Sequence, residues 1–267
     1  GAAAGVNLTG VVSAGPLFAD FDGDGNLDLF VGAVGGFGVM QPSLFRNLGD
    51  GTYQDITPAN GVGLLNNSFG ASAGDYDRDG DLDLYFANGG ELRAEPTGRI
   101  YHNGLWRNDG NWRFTDITEG SGLECPDWSC GVSTVDFDAD GLLDVYVTQL
   151  GPNRLFRNID GKGHFEDVTA TVGGDDAGWS TSAAFFDADN DGDLDLYVCN
   201  YLLFDIQDPP RGGIPCGWKD LKVCCGPRGL PEAQDTYYEF VDGRFIDRTK
   251  EAGFASSKRR KTLIAYS

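Results

Sequence analysis

Basic residues are scarce in this chain. Lys and Arg number 20 against 41 Asp and Glu, a net charge of −21 over 267 residues. Such a surface repels phosphate backbones and argues against nucleic acid as a partner. Histidine is scarcer still. His102 and His164 are the only two, and they sit in different repeats outside any nucleophile motif. No Walker loop or H-E-x-x-H occurs, so no motif-borne nucleotide or zinc-protease chemistry is written here. Long apolar runs are missing too. None reaches 18 residues, so no transmembrane segment is expected. The start, Gly1-Ala-Ala-Ala-Gly5, lacks the charged and apolar regions of a signal peptide. It reads as the new terminus left by a cleaved leader, or as a trimmed chain.

Glycine and phenylalanine are plentiful, at 40 and 17, and 40% of residues are hydrophobic. That composition suits a well-packed core of short strands between turns, in one large domain or two small ones. Against this background one pattern repeats. Asp187-Ala-Asp189-Asn-Asp191-Gly192-Asp193-Leu-Asp195 places carboxylates at loop positions 1, 3, 5 and 9, with glycine at 6. The same loop runs from Asp20 to Asp28, from Asp75 to Asp83 and from Asp136 to Asp144. A ring of hard oxygens around a tight turn is the chemistry of Ca²⁺. The expected ligands are Asp20, Asp22, Asp24, Asn26 and Asp28; Asp75, Asp77, Asp79, Asp81 and Asp83; Asp136, Asp138, Asp140, Leu142 and Asp144; and Asp187, Asp189, Asp191, Asp193 and Asp195. Position 7 varies from Asn26 to Leu142, which fits a ligand supplied by the backbone carbonyl. Position 12 is Val31, Phe86, Val147 or Val198. The Glu of a helix-loop-helix calcium site is therefore absent, and the loops lead into strands. About four bound Ca²⁺ would move the net charge to about −13 and relieve repulsion within each turn.

A second motif trails each loop: Leu44-Phe-Arg-Asn47 to Thr57, Leu105-Trp-Arg-Asn108 to Thr118, and Leu155-Phe-Arg-Asn158 to Thr169. The fourth copy, Tyr237-Tyr-Glu-Phe240 to Thr249, is degraded. Each repeat then ends in a Gly-rich corner such as Gly61-Val-Gly63 or Gly120-Ser-Gly122. Repeat two shows four strand signals: Ser68–Ala73, Leu82–Phe86, Ile100–Arg107 and Trp112–Ile117. Four antiparallel strands in each such unit describe an all-β propeller blade. A row of independent hairpins would bury too little surface to be stable. The blades are placed at about 5–60, 61–122, 123–172 and 173–252, with 253–267 starting the next. Thr262–Ser267 stands where other repeats enter their loop. The expectation is a longer protein with further blades; the competing reading is closure of a four-bladed ring on blade one.

Residues 201–236 interrupt the fourth repeat with Pro209-Pro210, Cys216-Gly-Trp218 and Cys224-Cys225-Gly-Pro-Arg228-Gly-Leu-Pro231. Six cysteines suit three disulfides in fifteen possible connectivities. The expected set pairs Cys125 with Cys130, Cys216 with Cys224 or Cys225, and Cys199 with the remaining one. Disulfides together with loops suited to millimolar Ca²⁺ point to an extracellular, cell-surface or periplasmic setting. Lys258-Arg-Arg-Lys261 reads as a solvated loop, or as an offset to the acidic body. Asn7-Leu-Thr9 and Asn66-Asn-Ser68 match the glycosylation pattern.

The D-x-D-x-D-G-x-x-D loops resemble the FG-GAP/VCBS repeats of integrin α-subunit propellers. Their pairing with L-F/W-R-N and D-G-x-F/Y-x-D-I/V-T is closer to the group of cartilage acidic protein and bacterial ASPIC/UnbV proteins. The Cys224–Pro231 stretch looks like an insertion of the bacterial members. The resemblance implies a propeller, commonly seven-bladed, exported and acting through binding. The expected function is a calcium-binding module for protein or glycan contacts and adhesion, not an enzyme, with Ca²⁺ structural. The alternatives are a carbohydrate-active lyase or glycosidase on the same scaffold, and a structural subunit of a larger surface or periplasmic assembly.

Overall fold

In the computed structural model the strand and turn signals resolve into four antiparallel sheets of four strands each. The structure describes residues 2–8, 12–34, 42–57, 68–89, 102–205, 208, 216–218, 221–223 and 231–255. Several expectations lie outside these residues: the Gly61–Gly63 corner, Asn66, the start of the Ile100 strand, Pro209-Pro210, Cys224–Leu230, Lys258–Lys261 and the strand at Thr262–Ser267.

Each sheet is a meander. The first runs β1 (Val12–Ala19), β2 (Asp28–Val34), β3 (Ser43–Asn47) and β4 (Tyr53–Asp55). The second is β5 (Ser68–Gly74), β6 (Asp83–Asn88), β7 (Gly104–Asn108) and β8 (Phe114–Asp116). The third is β9 (Ser129–Val135), β10 (Asp144–Gln149), β11 (Arg154–Asn158) and β12 (Phe165–Asp167), followed by a single helical turn, α1 (Thr169–Val172). The fourth is β13 (Ser180–Phe186), β14 (Asp195–Asn200), β17 (Thr236–Val241) and β18 (Arg244–Asp247). Between its second and third members lies a small hairpin, β15 (Cys216–Trp218) and β16 (Leu221–Val223). These sheets are the blades of a propeller-like fold.

The second strand is covered on both faces in the second and third blades. All six residues of β6 and of β10 are buried, which is why Leu84-Tyr-Phe86 and Val145-Tyr-Val147 read as continuous apolar runs rather than as alternation. Three clusters bond neighbouring blades. Phe21, Phe30 and Leu44 meet Leu84, Trp106 and Phe114 between the first and second blades. Tyr76, Tyr85 and Leu105 meet Val145, Phe156 and Phe165 between the second and third. Phe137, Tyr146 and Leu155 meet Leu196, Phe240 and Phe245 between the third and fourth. The first strands approach one another closely. A methyl group on Gly131 would lie 2.7 Å from the Thr181 carbonyl oxygen of the next blade. Glycine at this point lets two backbones touch.

The trailing motif now has a physical reading. Thr57, Thr118, Thr169 and Thr249 each accept the backbone N–H of the second residue of the third strand, at 2.8–3.0 Å. Asp116, Asp167 and Asp247 accept both the N–H and the hydroxyl of the threonine two residues on. The D-x-T element thus fastens the fourth strand of a blade to its third.

The expected Cys125–Cys130 bridge is not formed. Cys125, Cys130 and Cys199 are free thiols. Cys125 is buried and accepts a hydrogen bond from Gln149 Nε2 at 2.9 Å, which commits that thiol to a neighbour other than Cys130. The bridge expected from Cys199 is not formed either, and its sulfur is unpaired. The side chains of Cys216, Cys224 and Cys225 lie outside the described residues. No helix among the described residues is long and apolar enough to cross a membrane.

Candidate metal centre

Each Asp loop joins the first strand of a blade to the second, at the same end of every blade. The turn is wired by its own carboxylates. Asp20 accepts the N–H groups of Asp24 and Gly25, Asp75 those of Asp79 and Gly80, and Asp136 those of Asp140 and Gly141, all at 2.9–3.2 Å. Position 5 then accepts the N–H of position 7: Asp24 from Asn26, Asp79 from Asp81, Asp140 from Leu142 and Asp191 from Asp193, at 2.8–3.1 Å. That bond needs only a backbone, so position 7 tolerates leucine. The position-6 glycines have φ between 83° and 99°, a region that side chains disfavour. Position 4 is left-handed as well, at Gly23, Arg78, Ala139 and Asn190, with φ from 58° to 68°. Four different residue types share this conformation, so no sequence signal announces it.

The structure brings Asp20, Asp22 and Asp28 together, with one oxygen from each within 4.8 Å of the others. Asp75, Asp77 and Asp83 form the same group, as do Asp136, Asp138 and Asp144. In the fourth loop the group is Asp187, Asp189 and Asp191. Asp24, Asp79 and Asp140 lie outside the three-carboxylate group of their loops, and Asp195 lies outside that of the fourth. The Asn26, Asp81, Leu142 and Asp193 backbones close the turn beside them.

Position 9 does more than its place in the repeat foretells. Asp83 is buried; Oδ2 accepts Tyr76 N–H at 3.0 Å and Oδ1 accepts Asn108 N–H at 2.8 Å. Asp28 does the same with Phe21 and Asn47, and Asp144 with Phe137 and Asn158. One carboxylate therefore ties the start of the loop to the third strand. The asparagine of that strand reaches further. Asn108 Nδ2 donates to the Phe21 carbonyl of the blade before it at 2.9 Å. In the fourth blade Asp195 accepts the N–H groups of Ala188 and Phe240 and the hydroxyl of Tyr237.

This crowding shows in the titration of the carboxyls. Burial pushes Asp83 and Asp144 up to about 7, against the lowering effect of the two N–H donors, and the carboxylates at positions 3 and 5 add to the rise. Burial and then Asp191 push Asp193 up to about 6. Asp193 Oδ1 is shut off from solvent with no hydrogen-bond donor among the described residues. An all-carboxylate donor set with repelling charges and an orphaned anionic oxygen fits a hard divalent cation and does not fit a thiolate-seeking one.

Comparison with known proteins agrees with this geometry. The model of the FG-GAP-like repeat matches residues 20–86, 96–147 and 136–198. Cartilage acidic protein 1 of Xenopus tropicalis is 32% identical over 165 residues, 58% of this chain and 24% of that protein. The protein of the same name from Homo sapiens is 31% identical over the same extent. The chain thus spans about a quarter of the length of these relatives. Two solved structures are similar at 16% identity. One is an Agrocybe aegerita lectin that recognises non-reducing terminal N-acetylglucosamine, with a TM-score of 0.42 over 86% of this chain and 50% of that one. The other is a V. cholerae biofilm matrix protein, at 0.39 over 73% and 30%. With more than half its length matched by the repeat model, and with each matched stretch containing an Asp loop and the strand after it, this chain belongs to the FG-GAP-like repeat family.

Proposed function

We propose that this chain is an exported calcium-binding module of propeller blades that makes protein or glycan contacts and catalyses no reaction. The observation that carries the calcium reading is the recurrence of a three-carboxylate group in four equivalent turns, with an anionic oxygen of the fourth left without a donor among the described residues. When bound, Ca²⁺ would neutralise the loop carboxylates and draw them together; its role is structural. The residues that would hold it are the Asp side chains at positions 1, 3, 5 and 9, with the position-7 carbonyl. Affinity of order 10⁻⁴–10⁻³ M suits an extracellular setting.

A surface for contacts lies at the blade ends away from the loops. Phe69, Trp128 and Trp179 form a run of rings across three blades, with centroids 6.0 and 5.7 Å apart. Trp179 continues to Tyr201 and Phe204 at 5.3 and 5.2 Å. Beside it is a cavity of about 470 Å³ lined by Leu150, Ala177, Leu202, Leu203 and Phe204. Aromatic rings beside a cavity of this size suit recognition of a ligand face.

The test is a thermal melt with EDTA and with millimolar Ca²⁺, together with elemental analysis. A midpoint raised by Ca²⁺ is expected. An unchanged midpoint in protein free of metal refutes the calcium reading, and turnover of polysaccharide by the purified chain refutes the non-enzymatic one.

A further inference from the structure

The four loops share one scaffold but not one electrostatic setting. In the first blade the Arg46 guanidinium lies 2.8 Å from Asp22 Oδ2, and the indole N–H of Trp112 donates to the same oxygen at 3.1 Å. Position 3 of that loop is therefore already partly neutralised by the protein. The corresponding residues of the next two blades are Arg107 and Arg157. Register fixes the equivalence: Phe45, Trp106, Phe156 and Tyr238 pair with Leu29, Leu84, Val145 and Leu196, one residue after the loop aspartate in each blade. Arg107 and Arg157 stand at the register position of Arg46, with ion pairs of their own to Asp109 and Glu166.

In the fourth blade this residue is Glu239. It puts a carboxylate at the register position from which Arg46 reaches Asp22 in the first blade. The fourth loop also carries an acid at position 7, Asp193, whose Oδ1 is the one loop carboxylate oxygen that is buried without a donor among the described residues. The second loop has an acid there too, Asp81, but it also has Arg78 in the turn and Arg107 beside it. Arg78 reaches across to the Gly141 carbonyl of the third loop. Loops one to three thus each have a guanidinium at hand, and the fourth has a carboxylate in its place. The only cation bonded to Glu239 among the described residues is Arg248, whose Nε lies 2.7 Å from Glu239 Oε2.

We infer that the fourth loop is the tightest of the four divalent-cation sites, and that Glu239 sets this rank, with Arg248 acting as a brake on it. The inference rests on the calcium reading above. Glu239 acts through the field at the loop, as a positioning charge. By Coulomb's law in water a unit charge roughly 6 Å from a divalent ion changes its affinity about tenfold.

The test is a calorimetric titration of chelator-stripped protein with Ca²⁺ alone. One site is expected to fill about tenfold more tightly than the rest. Asp187→Asn with Asp189→Asn should erase that phase. Glu239→Gln should weaken it by about threefold to tenfold and leave the other sites alone, Glu239→Arg should merge it with them, and Arg248→Gln should tighten it. The opposite signs for Glu239→Gln and Arg248→Gln separate a field effect from loss of an ion pair, which would weaken the site in both variants. The inference is overturned if the tight phase survives loss of the fourth loop. It is also overturned if Glu239→Gln leaves it unchanged, or if Arg248→Gln weakens it. Absence of any calcium binding would instead remove the reading on which the inference stands, and the inference with it. Circular dichroism of each variant, matching the parent, shows that the fold is intact.

Discussion

The side-chain amide of Asn158 donates to the backbone carbonyl of Tyr76 at 2.9 Å. Tyr76 is the second residue of the Asp loop one blade earlier, and Asn158 is itself held by Asp144 of its own loop. Loop, strand and preceding loop are therefore joined by one polar thread through buried ground.

That thread makes Asn158→Leu informative. The Tyr76 carbonyl, the Leu143 carbonyl and the Gly161 N–H would each lose a partner. A loss of about 2–4 kcal/mol is expected from stranding buried polar groups. Chemical denaturation measures it. A loss below about 0.5 kcal/mol would show that packing alone joins these blades.

Asp144 and Asp140 belong to the same loop but should respond differently. Asp144 accepts two backbone N–H groups on its two oxygens. In Asp144→Asn an amide NH₂ would confront one of those donors, and a loss of about 2–3 kcal/mol is expected even in EDTA. Asp140 is exposed, and its Oδ1 would still accept Leu142 N–H in Asp140→Asn. Its stability in EDTA should stay within about 0.5 kcal/mol of the parent. Equal losses for both variants in EDTA would contradict the dual role assigned to position 9.

Asp167 provides a pH test away from the loops. Burial raises its carboxyl, but the Thr169 hydroxyl and then Arg154 outweigh burial and hold it below the usual range. A carboxyl depressed in the folded state contributes stability above its unfolded pKa of about 3.9, and that contribution fades as pH falls through the folded value. The stability gap between parent and Asp167→Asn should therefore be wider at pH 6 than at pH 3. Urea denaturation at both values checks this, and a gap independent of pH would count against it.

The thiols are open to direct counting. Burial pushes the Cys125 thiol up, and Cys130 to about 11. Both should resist alkylation in the native protein at pH 7.5 and react on unfolding. Mass spectrometry without reductant should show no Cys125–Cys130 linkage; finding one would restore the expected pairing.

Much of this architecture is legible in the sequence because the loop needs particular residue types. Carboxylates at positions 1, 3, 5 and 9 and glycine at 6 are chemical requirements, and they recur. The D-x-T element is legible too, since the clamp needs an acceptor oxygen two residues before a hydroxyl. What stays hidden is a role shared by unlike residues or split between distant ones. The left-handed position 4 is filled by Gly23, Arg78, Ala139 and Asn190, which leave no common mark. The Asn108 and Asn158 bonds span blades, so their acceptors cannot be named before the blades are packed. The degraded fourth motif reads as decay in the sequence. In the structure it is an exchange of chemistry, with Phe240 stacking edge-on against Phe137 at 6.1 Å where an asparagine bond would have stood.

The asparagine bonds all point backward along the chain, from Asn108 to Phe21 and from Asn158 to Tyr76. Like roof tiles, each blade overlaps the one before it, which gives the row a grain. The first and second turns are pinned from outside by a later blade. The third is met by Phe240 from the later blade and by Arg78 of the earlier one at its Gly141 carbonyl, with no asparagine amide from a later blade among the described residues. Without that asparagine pin, the amide hydrogens of the third turn are expected to trade with solvent sooner than those of the first two.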